Sequence, residues 1–117
     1  MRFLALDFET AGLELNERAP VTLGLAIFDG GEVVKSKEWL FAPIKDWQGK
    51  LKYTYTQNAA QIHGYTLDMM TLDGLSVQSV YREVQEFLDG FVWDRPIVSH
   101  NAPFDSDVWS NFMFNLA

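Results

Sequence analysis

The sequence predicts an α/β fold: a mixed sheet with helices packed on it, in the order β-β-β-α-β-α. Strand-like apolar runs fill the first 41 residues, a helical stripe occupies 76–91, and a short strand followed by a helix comes last. A meander followed by alternating helix and strand suggests such a sheet.

Phe3 to Phe8 alternates, with Leu4, Leu6 and Phe8 on one face and Phe3, Ala5 and Asp7 on the other. Both faces are largely apolar, so the strand is expected to be central and covered on both sides. Val21 to Phe28 and Val33 to Phe41 are two further runs, and Asp29-Gly30-Gly31 between them reads as a hairpin. Between 42 and 75, Pro43, Gly49, Gly64 and Gly74 interrupt every period, and a loop with short helical pieces is expected.

Ser76 is the expected N-cap of a helix whose apolar stripe is Val77, Val80, Tyr81, Val84, Phe87, Leu88 and Phe91, with Gly90 near its end. Pro96 to Ser99 reads as a short strand. Pro103 suits the first turn of a last helix, with Asn101 or Ala102 just outside it and Phe104, Val108, Phe112 and Met113 as its apolar face.

A chain of 117 residues is enough for one domain. With 48% hydrophobic and 15% aromatic residues it is built to pack. It has no cysteine, which excludes disulfide scaffolds and Cys-based zinc sites. No apolar run approaches the ~20 residues of a membrane span, and Asp7 and Glu9 interrupt the N-terminus too early for a signal peptide. A cytoplasmic location with no membrane partner is expected. The net charge of −7 argues against a broad basic track for nucleic acid and permits only local engagement, unless carboxylates are neutralised by divalent cations.

Chemistry concentrates in two places. Asp7-Phe8-Glu9-Thr10 projects two carboxylates from one strand face with Cα atoms roughly 6.5 Å apart. Like charges so close repel, and hard divalent cations resolve the conflict. Taken alone, a D-x-E of this kind is more often a pair of solvated acids at a strand end. The second is His100-Asn101-Ala102-Pro103-Phe104-Asp105, in which Asp105 lies in the first turn of a helix that directly follows a strand. Helix dipoles favour acids there regardless of function. If the short strand runs beside Phe3–Glu9, Asp105 reaches the same sheet end.

Together these segments resemble the first two motifs of the DEDD (DnaQ-like) 3′–5′ exonuclease superfamily, which has an RNase H-like fold. Ala11-Gly12-Leu13 looks like the family's turn after the first motif, and Gln61-Ile62-His63-Gly64-Tyr65-Thr66 resembles its Ile-His-Gly-Ile-Thr-like segment. The resemblance implies that Asp7, Glu9 and Asp105 are catalytic metal ligands for two divalent cations, Mg²⁺ or Mn²⁺. It implies a substrate-binding set of Thr10, Ala11, Gly12, Leu13, His63, Asn101 and Phe104. The implied reaction is two-metal hydrolysis of the phosphodiester at a 3′ end of single-stranded DNA or RNA, as in proofreading. A polymerase, or a second chain completing the fold, is the further partner.

The family's fourth carboxylate and its general base, His in one branch and Tyr in the other, follow the second motif. Residues 106–117 contain neither His nor Tyr. Asp107 is their sole acid, and two residues along a helix it points about 200° away from Asp105. The last strand and closing helix are missing from the pattern, so a single, incomplete domain with poor activity of its own is expected. The alternative is an inactive relative that binds a nucleic-acid end or a protein. His63 and His100 read more readily as packing or hydrogen-bonding residues than as the base. Trp47, Tyr53 and Tyr55, interleaved with Lys45, Lys50 and Lys52, could hold a single strand. The favoured reading is a loop that buries its aromatics and leaves its lysines in water.

Overall fold

The computed structural model describes residues 2–12, 14, 18–90, 97–99 and 102–113. Strands β1 (Arg2–Thr10), β2 (Pro20–Asp29) and β3 (Glu32–Leu40) precede helices α1 (Gln57–His63), α2 (Leu67–Asp73) and α3 (Val77–Phe87). Strand β4 (Ile97–Val98) and helix α4 (Ala102–Asn111) follow. The four strands form one mixed sheet in the order β3-β2-β1-β4, with β4 parallel to β1 and the other pairs antiparallel.

The expected order holds, and the short helical pieces expected between 42 and 75 are α1 and α2. Both have seven residues, too short to show a period in sequence. Each is delimited by its caps: the Thr56 and Thr66 hydroxyls accept from Ala59 N–H and Met69 N–H, and Gly64 ends α1 at φ 79°. Ser76 caps α3 as expected. Gly30 and Gly31 both have positive φ, 63° and 85°, as a tight turn between paired Asp29 and Glu32 requires.

Leu4, Leu6 and Phe8 on β1 pair with Ile27, Leu25 and Leu23 on β2, and these six form the floor of the core. Val77, Val80, Val84 and Phe87 of α3, then Leu88 after it, cover that floor with Val108 of α4 and Phe112 beyond it. Phe112 meets the rings of Phe8, Phe41, Tyr81 and Trp109 at centroid distances of 5.6–6.4 Å. Tyr81, Phe104 and Met113 are only partly buried.

β1 is central, but its expected cover on both faces is corrected: Phe3 and Ala5 are half-buried and Asp7 is exposed. On that open face Phe3 stacks on Phe28 instead, with centroids 4.9 Å apart. Strand β3 is an edge strand, solvated along most of its length, with only Trp39 buried. Among the described residues no helix is long and apolar enough to cross a membrane. The readings that fell on Leu13, Phe91, Pro96, His100 and Asn101 lie outside the described residues.

Candidate functional site

The site begins with the alternation of β1. Its even-numbered residues go to the core, so Asp7 and Glu9 emerge together on the open face near the strand's C-terminal end. Across the sheet Asp7 pairs with Gly24, and Gly24 pairs with Glu38. A glycine in the middle of that row leaves open space between two carboxylates.

Asp105 arrives from the other end of the chain. β4 pairs with β1 only through Leu4↔Ile97 and Ala5↔Val98. Beyond it, the Phe8 N–H donates to Asp105 Oδ1 at 3.4 Å. Ser99 Oγ–H donates to Oδ2 of the same carboxylate. The acid thus takes over the edge of β1 where β4 stops, and only 2% of it remains exposed. Asp107 points elsewhere, as expected, and pairs with Arg18 at 3.0 Å.

A turn and a helix make the remaining wall. The Thr10 hydroxyl donates to Gly12 O at 2.7 Å and shapes the chain's exit from β1. The Thr56 hydroxyl donates to Ala11 O at 2.9 Å while accepting from Ala59 N–H at 3.0 Å. One side chain therefore caps α1 and fixes it against the end of β1.

The result is a cleft of about 420 Å³ whose lining includes Asp7, Glu9, Glu14 and Asp105, then Thr10, Gly12, His63 and Phe104, and also Thr56, Asn58 and Ile62. A neighbouring cavity of about 340 Å³ continues onto the open face past Glu38 and Tyr65. All three acids singled out in the sequence meet there. Ala11 is fully buried, lies outside the cleft lining and holds the turn through its backbone.

The electrostatics follow from this crowding. Burial pushes the Glu9 carboxyl above the usual range, and Asp7, Asp105 and Glu38 push it further. His63 Nδ1 accepts from Tyr65 N–H at 3.1 Å, which leaves the proton of the neutral ring on Nε2. Burial lowers this imidazole's pKa, with the Thr10 carbonyl pulling the other way. The donor set, several carboxylate oxygens in mutual repulsion, suits a hard divalent cation chemically. Among the described residues, however, no three His, Cys, Asp or Glu side chains are grouped closely enough to hold a metal.

Sequence reasoning gave no site role to Glu14, Thr56, Asn58 or Glu38, and named Ile62 only within the Gln61–Thr66 segment. Thr56 carried a legible cap signal, whereas Glu38 joins only through the pairing of β1, β2 and β3.

No protein-family profile matches the chain. It is 31% identical over 103 residues to a DNA polymerase III PolC-type of Thermotoga maritima, covering 88% of this chain and 7% of that relative. A PolC-type polymerase of Thermotoga petrophila is 29% identical over the same length. The chain thus spans a small fraction of these relatives. Escherichia coli exonuclease I in complex with a dT13 oligonucleotide superposes with a TM-score of 0.78 at 21% identity, over 97% of this chain and 23% of that one. Exonuclease I of Methylocaldum szegediense gives 0.74 at 17% identity, over 96% and 23%.

Proposed function

We propose that this chain, which has the RNase H-like fold of the DEDD-type 3′–5′ exonucleases, is a single, partial exonuclease domain that removes nucleotides from 3′ ends of single-stranded nucleic acid. The observation that carries this reading is the meeting of Asp7, Glu9 and Asp105 in one cleft. The sequence similarity to PolC-type polymerases supports a proofreading context.

In this reading Asp7, Glu9 and Asp105 are the residues that would hold Mg²⁺ or Mn²⁺. When bound, such cations make water acidic near neutral pH and offset charge on the leaving 3′ oxygen. The chain's own part is positioning. Ile62, 75% exposed at the cleft, offers an apolar lip for the terminal base. Gly12 lets the strand approach the turn, Phe104 offers a ring, and His63 forms part of the cleft wall. Leu13 and Asn101 complete the substrate set that the family resemblance implies.

A 5′-labelled single strand incubated with Mn²⁺ tests the proposal. Slow shortening one nucleotide at a time from the 3′ end is expected, reduced at least about a hundredfold in Asp7→Asn and Glu9→Gln. Internal cuts, or trimming that persists in EDTA, would overturn it.

The second reading is an inactive relative that binds a 3′ end. It is favoured by the engagement of both Asp105 oxygens with Phe8 and Ser99 and by the absence of a three-ligand metal group among the described residues. It predicts end binding with no turnover.

A further inference from the structure

The loop between β3 and α1 departs from its sequence reading. Tyr53 and Tyr55 are half-buried as expected, but Trp47 is 91% exposed. An indole left in water on a floppy segment would mean little. This one sits on a turn held in several ways.

The Asp46 carboxylate accepts from Gln48 N–H and Lys50 N–H, each at 2.9 Å. Asp46 N–H donates to Lys50 O at 2.7 Å, and Gly49 N–H to Asp46 O at 3.0 Å, with Gly49 at φ 83°. Lys45 bridges Leu51, and Lys52 N–H donates to Ile44 O at 3.0 Å. The loop's one acid is thus used within the turn, while Lys45, Lys50 and Lys52 are all exposed on the same short segment as Trp47.

We propose that this turn is a binding site for single-stranded nucleic acid, separate from the carboxylate cleft: a base stacks on Trp47 and the lysines neutralise neighbouring phosphates. Three of the nine Lys and Arg residues of a chain with net charge −7 lie within these eight positions. Local basicity against an acidic background favours a polyanion at this place. A fixed aromatic among cations is the arrangement that tracks a strand without reading its sequence.

The site is also tethered close to the cleft. Leu51 is five residues from Thr56, which lines the cleft, and five extended residues span at most about 18 Å. That distance is within reach of a strand of a few nucleotides whose 3′ end enters the cleft. The identity of the strand rests on the proposed function; the binding test does not.

Binding of fluorescein-labelled oligothymidylate is measured by anisotropy in EDTA, where hydrolysis is off, so trimming and tract binding are read separately. Trp47→Ala should weaken binding about 5- to 150-fold, the range set by loss of one stacked base. Trp47→Phe should recover part of that loss. Replacing Lys45, Lys50 and Lys52 with Gln should reduce the log–log salt slope by about 2. An abasic strand of equal length should bind weakly and be indifferent to Trp47→Ala. Three results would overturn the proposal: no binding by the parent chain, equal affinity for Trp47→Ala with its circular dichroism unchanged, or equal affinity for the abasic strand.

Discussion

Asp105 and Phe8 lie 97 positions apart, yet the carboxylate of one accepts the main-chain N–H of the other at 3.4 Å. That contact fastens the first turn of α4 to the edge of β1 at the residue that stands between Asp7 and Glu9 in sequence. Asp105→Ala would leave the Phe8 N–H and the Ser99 hydroxyl without this acceptor, at a cost of about 1–3 kcal/mol. Asp105→Asn keeps one carbonyl acceptor and should cost less. Urea midpoints of the two variants check the order; an Asp105→Ala midpoint equal to that of the parent would show that the contact does not hold the fold.

Glu9 makes stability depend on pH in a stated direction. Its folded pKa is raised, by burial first and then by Asp7, Asp105 and Glu38. The folded state therefore binds this proton more tightly than the unfolded chain does. Its contribution is fully present below the unfolded value of about 4.5 and is lost as pH rises through the raised folded value. Glu9→Gln should flatten that part of the Tm–pH curve and raise Tm at neutral pH. Mn²⁺ should raise the parent's Tm more at pH 7 than at pH 4.5, since cations compete with protons for the same oxygens. Identical curves for Glu9→Gln and the parent would contradict the crowding.

Gly74 is needed for space alone. Its φ of −77° suits any residue, but an added Cβ would lie 2.4 Å from Met70 O and 2.5 Å from both Ala42 N and Phe41 C. Leu75 N–H donates to Leu40 O at 2.9 Å, so the clash would force apart the α2 C-terminus and the end of β3. Gly74→Ala should destabilise by about 1–3 kcal/mol, occasionally more. Gly24→Ala, whose Cβ would meet only Asp7 O at 3.8 Å, should be nearly neutral in stability. Denaturant melts of the pair provide the check, and equal midpoints would refute it.

Phe112 closes the core beside the site. It is fully buried among four other rings, and Phe112→Ala should cost about 3–5 kcal/mol. Since α4, which ends just before Phe112, carries Asp105, the variant should lose trimming near its melting temperature before it loses helical circular dichroism. A loss below 1 kcal/mol would place the ring outside the cooperative core.

Much of this was readable from residues alone. The alternation of β1, the turn at Gly30-Gly31, the Ser76 cap and the stripe of α3 are local patterns, and each produced the element expected. The cover over β1 was misjudged because Phe3 and Ala5 look like core residues in sequence. Only the partner layer decides whether an apolar face is buried. Trp47 was misjudged for a related reason: composition cannot tell an aromatic tucked under a loop from one held out on its tip.

The sequence by itself determined that Asp7 and Glu9 share a face opposite Leu4, Leu6 and Phe8, since a strand alternates its side chains with period two whatever surrounds it. Tertiary structure decided that Asp105 fastens to Phe8 N–H, that Glu38 faces Asp7 across Gly24, and that Thr56 fixes α1 to Ala11. These contacts depend on strand register and on where β4 stops. Both are set by packing distant segments against one core, which no local period encodes.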